Sequence, residues 1–115
     1  MAVARVRSDG AETALTTSLQ TILTFSGGLD TGGGILQGVK LVNRSATDRT
    51  IQIHVIESGG SADNANMWDE VFVPANSSVV TQGIAYCDSA AFVQAIMDGG
   101  SAGDVNAWPI AIEKS

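Results

Sequence analysis

Two runs of alternating apolar residues, set either side of a short polar joint, constrain this chain more than any other feature. Val39 and Leu41 recur at every second position, and so do Ile51, Ile53 and Val55. A period of two places each set on one face of a β-strand. The joint, residues 44–49, reads Arg-Ser-Ala-Thr-Asp-Arg and is polar and turn-forming. Two such runs around such a joint predict an antiparallel hairpin. Burial of Ile51, Ile53 and Val55 would contribute about 1.5–3 kcal/mol each.

The remaining apolar runs are short as well. Leu15, Leu19, Ile22, Leu23 and Phe25 are interleaved with five threonines, at positions 13, 16, 17, 21 and 24, which favours strand over helix. A glycine-rich loop over 26–34 leads into the central pair, and a second over 58–64 leads out of it. Met67, Trp68, Val71, Phe72 and Val73 predict the next strand, with acidic Asp69 and Glu70 inside it. Pro74-Ala75-Asn76-Ser77 is a turn, and a short strand starts at Val79 and Val80 and runs to Gly83. Phe92, Val93, Ile96 and Met97 fit helical spacing too, but their neighbours favour a strand over 89–98. The last strand runs from Val105 to Glu113. Pro109 within it lacks a ladder donor, which predicts an edge or a bulge.

Seven to eight short strands with frequent turn signals predict an all-β fold, an antiparallel β-sandwich of jelly-roll or Ig-like type. With 115 residues the chain holds one domain. We assign it to residues 14–115, with residues 1–13 as an N-terminal arm ordered against a partner.

Charge narrows the partners. Twelve acidic residues against six basic ones give a net charge of −6. The basic residues Arg5, Arg7, Lys40, Arg44, Arg49 and Lys114 form no stripe, so no nucleic-acid partner is expected. Arg5 and Arg7 are the one small cluster, suited to an acidic partner surface or to solvent. No apolar run is long enough to cross a bilayer, so no membrane partner is expected. Cys87 stands alone, which excludes an intrachain disulfide and fits a reducing compartment. The sequence shows no signal-peptide pattern at residues 1–10, so the sequons at Asn43 and Asn76 read as chance.

The order of these pieces resembles a family of small β-sandwich virion proteins of tailed bacteriophages. The likeness rests on Leu41-Val42-Asn43-Arg44-Ser45, on Thr50-Ile51-Gln52-Ile53-His54-Val55, on Val73-Pro74-Ala75-Asn76-Ser77, on Gly103-Asp104-Val105 and on the closing Ile110-Ala111-Ile112-Glu113. It spans residues 15–113 and is one of layout. It implies a non-enzymatic structural protein, a capsid decoration or cement protein on the outer surface of the virion, assembled in the host cytoplasm. The implied partners are the major capsid protein and further copies of the chain, as a homotrimer. The alternative within the same likeness is a tail- or fibre-associated protein that binds carbohydrate or a host surface.

Residues of the types that carry chemistry have plainer explanations here. Gly99-Gly100-Ser101-Ala102-Gly103 matches G-x-S-x-G, yet the only histidine, His54, precedes the serine, and no acid–base partner follows. No catalytic residue is therefore assigned. His54 lies between Ile53 and Val55 and so points away from the core, toward solvent or a partner. Without a companion His or Cys it makes no transition-metal site. Asp63, Asp69, Glu70, Asp98 and Asp104 lie near glycine loops but lack calcium-loop spacing, so no metal or cofactor is assigned. Gly32-Gly33-Gly34 lacks the frame of a nucleotide cradle. Trp68 and Trp108 suit core filling or a subunit interface, with sugar stacking as the alternative. The expected partner-interface residues are Arg5, Arg7, His54, Trp68 and Trp108.

Overall fold

A computed structural model of the chain describes residues 4–8, 12–25 and 32–114. Parts of the expected arm (1–3 and 9–11) and of the first glycine loop (26–31) lie outside the described residues. The strands are β1 (Ala4–Ser8), β2 (Thr13–Ala14), β3 (Gln20–Thr24), β4 (Gly34–Asn43), β5 (Arg49–Ile56), β6 (Met67–Val73), β7 (Ser77–Val80), β8 (Ala85–Cys87), β9 (Phe92–Met97) and β10 (Val105–Lys114). A 3-10 turn, Asn64–Asn66, precedes β6.

These strands form two antiparallel sheets packed face to face. The first runs β1–β10–β4–β7, with β2 also beside β10 and β8 also beside β4. The second runs β3–β9–β5–β6. Counting β1 with β2, and β7 with β8, as two interrupted strands gives the alternating order of a jelly roll. The segment 89–98 contains strand β9, as its neighbours predicted. Ala4–Ser8 and Thr13–Ala14, both in the segment expected to be an arm, pair with β10.

The central pair departs from its expectation. β4 and β5 are not a hairpin; they lie in different sheets, and residues 44–48 arch across the core between them. Val39 and Leu41 of β4 and Ile51 and Ile53 of β5 are all fully buried in one core cluster. Alternation sets which face of a strand is apolar, and that face is buried equally well across the sandwich as beside a neighbour. The geometry of the joint decides between the two.

That joint is held by Asn43, which shares the inward face with Val39 and Leu41 and is 1% exposed. Its amide nitrogen donates to the Thr47 carbonyl at 2.9 Å and to the Val73 carbonyl, on the second sheet, at 3.0 Å. Its amide oxygen accepts the Ser45 N–H at 2.9 Å and lies 2.8 Å from the Ser45 hydroxyl. All four hydrogen-bonding positions of this buried amide are filled. The sequon at Asn43 therefore presents no free amide nitrogen.

Three other crossings between sheets meet at the same end, while those from β3 to β4 and from β8 to β9 lie at the opposite one. The β6–β7 turn docks on the arch, with Asn76 N–H donating to the Ser45 carbonyl and Ala75 N–H to Asp48 Oδ1. Asn76 takes a left-handed φ of 53°, as its turn chemistry anticipates. The β9–β10 loop joins through Arg44 N–H to the Asp104 carbonyl. The β2–β3 connection joins through Gly103 N–H to the Leu15 carbonyl.

Two irregularities adjust the faces. The register between β4 and β10 shifts at Ile110/Ala111, leaving Gln37 as an extra residue on β4. This bulge turns both Leu36 and Val39 inward, although they lie three apart in sequence. Pro109 is opposite Val39, whose N–H and carbonyl are both bonded to Thr81 on the other side. The ring nitrogen of Pro109 therefore faces the interval between β1, which ends opposite Ile110, and β2, which begins opposite Ala107. There no ladder donor is needed, close to the expected bulge.

Replacing Asn43 by Ala should leave the buried Val73 carbonyl and the Ser45 N–H without their partner and loosen the arch at Thr47. We expect a loss of about 2–4 kcal/mol in urea unfolding with little change in the slope.

Candidate interaction surface

The outward face of the first sheet is unlike that of an ordinary solvated sheet. In β10 the inward residues are small: Val105, Ala107 and Ala111 are fully buried. The large residues Trp108, Ile110 and Ile112 point the other way and are half-buried. An antiparallel sheet with one solvated face normally alternates apolar-in with polar-out. Here both faces of β10 are apolar.

The register extends this face across neighbouring strands. Ile112 is opposite Ile35, which is opposite Tyr86. Trp108 is opposite Lys40, which is opposite Val80. Tyr86 is 81% exposed and Val80 51%. Ile84, in the β7–β8 connection, is 60% exposed. The Lys40 ammonium lies 5.9 Å from the centre of the Trp108 ring, a cation–π distance. Gly38 lets this edge come close: a Cβ there would sit 2.9 Å from the Thr81 carbonyl oxygen.

The residues expected at a partner interface are not brought together. Trp108 lies on the outward face just described. Trp68 is the extra residue of the bulge between β5 and β6. It packs against the core from the seam between the sheets, and a Cβ at Gly83 would lie 3.4 Å from its ring. Arg5 and Arg7 lie in β1, opposite Glu113 and Ala111.

His54 corrects an expectation. It does point away from the core of the second sheet, as its place between Ile53 and Val55 predicts, but it does not reach solvent. The chain after β5 folds back over it, leaving it 6% exposed. Its Nδ1 lies 2.9 Å from Asn66 Oδ1. An amide oxygen only accepts, so Nδ1 carries the proton. Asn66 is fixed in turn by a reciprocal cap: its N–H donates to Asp63 Oδ1, and Asp63 N–H donates to Asn66 Oδ1. The signal for this cover was present in Asp63-Asn64-Ala65-Asn66, a capping sequence for a short helical turn.

The glycine-rich G-x-S-x-G stretch also has a structural task. It curls around an ion pair between Arg49 Nη2 and Asp104 Oδ2 at 3.5 Å. Ser101 N–H donates to the same carboxylate oxygen at 3.0 Å. Gly100 has φ +96°, and a Cβ there would lie 2.6 Å from Arg49 Nη2, so only glycine fits. Among the described residues, no three His, Cys, Asp or Glu side chains are grouped to hold a metal ion. Cys87 is buried at the inner side of β8, and burial pushes its thiol pKa up.

No protein-family model matches the chain, and comparison with curated proteins and with solved structures likewise finds no match.

Two outcomes follow from these surroundings. Asp104→Ala should cost about 1–3 kcal/mol in chemical unfolding, because it strands a mostly buried guanidinium and the Ser101 N–H. Cys87 should be alkylated by iodoacetamide at neutral pH at least about tenfold more slowly than a free thiol, as read by mass spectrometry. Its raised pKa also fixes a sign. The folded state holds the thiol proton longer than the unfolded state, so stability should fall as pH rises above about 8.5.

Proposed function

We propose that this chain is a non-enzymatic structural protein of a tailed-phage particle, a capsid decoration protein that adheres to the outer surface of the shell. The observation that carries this reading is the apolar outward face of the first sheet. An exposed apolar patch on a rigid domain marks a surface built for burial against protein.

The resemblance supplies the class, and the structure gives its motifs a common purpose. Asn43-Arg44-Ser45, Pro74-Ala75-Asn76-Ser77 and Gly103-Asp104-Val105 all fall at the end of the sandwich where the crossings are tied together. Jelly rolls also occur in viral capsid domains, although a fold by itself assigns no function. Decoration would work by adhesion: surface buried between subunits of the shell adds to its cohesion by mass action.

The decisive measurement is the copy number of the chain in purified particles, by quantitative mass spectrometry against the major shell protein. A count comparable to that of the shell protein is expected. A handful of copies per particle would move the protein to the tail or fibre. Absence from the particle would remove the virion assignment.

A further inference from the structure

We propose that the outward face of the first sheet is a self-association surface, on which two copies of this chain pack face to face about a two-fold axis. The inference rests on the reading of this face as adhesive and names its occupant. It does not depend on where the protein resides.

Three observations point to a second copy. The first is the choice of residues. Trp108, Ile110, Ile112, Ile35, Val80 and Tyr86 share one face, three strand positions across, with Lys40 between Trp108 and Val80. Aromatic and large aliphatic side chains of this kind typify the centre of a protein interface.

The second is charge. The chain carries a net charge of −6, so two copies repel each other over most approaches. β4, β7, β8 and residues 105–112 contain no Asp or Glu. By contrast, β6 at the edge of the second sheet carries Asp69 and Glu70. The first sheet thus offers a face on which two acidic molecules meet without bringing carboxylates together. Its one charged residue among these strands, Lys40, is held over Trp108 at the same face.

The third is area. β10 is 10 residues long. At about 3.3 Å per residue and about 4.8 Å between strands, a face three strands wide (β10, β4 and the position shared by β7 and β8) covers roughly 480 Å². Two such faces bury roughly 950 Å², the size of a weak, reversible contact. A self-complementary patch of this kind closes as a two-fold dimer and leaves no unsatisfied copy of itself. This arrangement differs from the threefold one expected from the resemblance.

The test is the mass of the purified full chain in solution, by light scattering after size exclusion and by sedimentation over a concentration series. Twice the chain mass of 11.8 kDa is expected. Ile110→Glu and, separately, Val80→Glu should raise the dimer dissociation constant at least tenfold, since each buries a carboxylate in an apolar contact. Both positions face outward, so circular dichroism should stay that of the parent. Phe72→Glu, on the exposed face of the second sheet, should leave the dimer intact.

A monomer at all concentrations up to about 100 μM would overturn the proposal, as would a trimer, or a dimer unaffected by both outward-face variants. A dimer that dissociates with Phe72→Glu instead would place the interface on the other sheet and overturn it equally. A confirmed dimer that is absent from particles would leave this inference standing and remove the virion assignment alone.

Discussion

One buried amide holds the two halves of this molecule in relation to each other. Asn43 ends the inward apolar face of β4 where the chain must leave the first sheet. Its amide nitrogen reaches the last carbonyl of β6 on the second sheet, and its oxygen holds the start of the arch. A polar side chain in the core is costly unless its hydrogen bonds are made, and here all are made. Two other crossings lean on this arch: the β6–β7 turn bonds to Ser45 and Asp48, and the β9–β10 loop bonds to Arg44. The Arg49–Asp104 pair closes the same end from the first residue of β5. Polar bonding thus ties several crossings together at this end.

The sequence shows its strands more clearly than their partners. Alternation located β4 and β5, apolar runs located β6 and β10, and glycine, proline and asparagine marked the turns between them. It misled at 39–55, because a period of two gives the face of a strand and is silent on which strand that face meets. The clue lay in Asn43, a polar residue at an inward position, which an ordinary hairpin would leave facing a core with no partner. β8 was missed because three residues cannot show a period. The face of β10 was legible in retrospect: Trp108, Ile110 and Ile112 alternate with Ala107 and Ala111, so the bulk lies on the parity opposite to the core. Only the register of β4, β7 and β8 reveals how far that apolar surface extends.

His54 shows the limit from the other side. Its direction followed from its neighbours, but its exposure depended on a loop that returns over it, and loops of this kind leave only a capping pattern in the sequence. The same is true of the G-x-S-x-G stretch. Read alone, it invites a nucleophile; in the fold, its glycines make room for a guanidinium and its serine N–H serves a carboxylate. Both cases turn a residue that looks reactive into one that shapes the chain.

The place of β10 has a consequence for how the molecule comes into being. It is the interior strand that joins β1 and β2 to β4, yet it is the last of the strands to leave the ribosome. Until it arrives, β4 has one open flank. Few strand partners in this sheet are neighbours in the chain, so loop closure must be met before pairing is rewarded. The nascent protein therefore passes through a stage in which one sheet can assemble from β3, β5, β6 and β9 while the other waits for its centre. During that wait the open flank of β4 is a hazard for pairing with other chains.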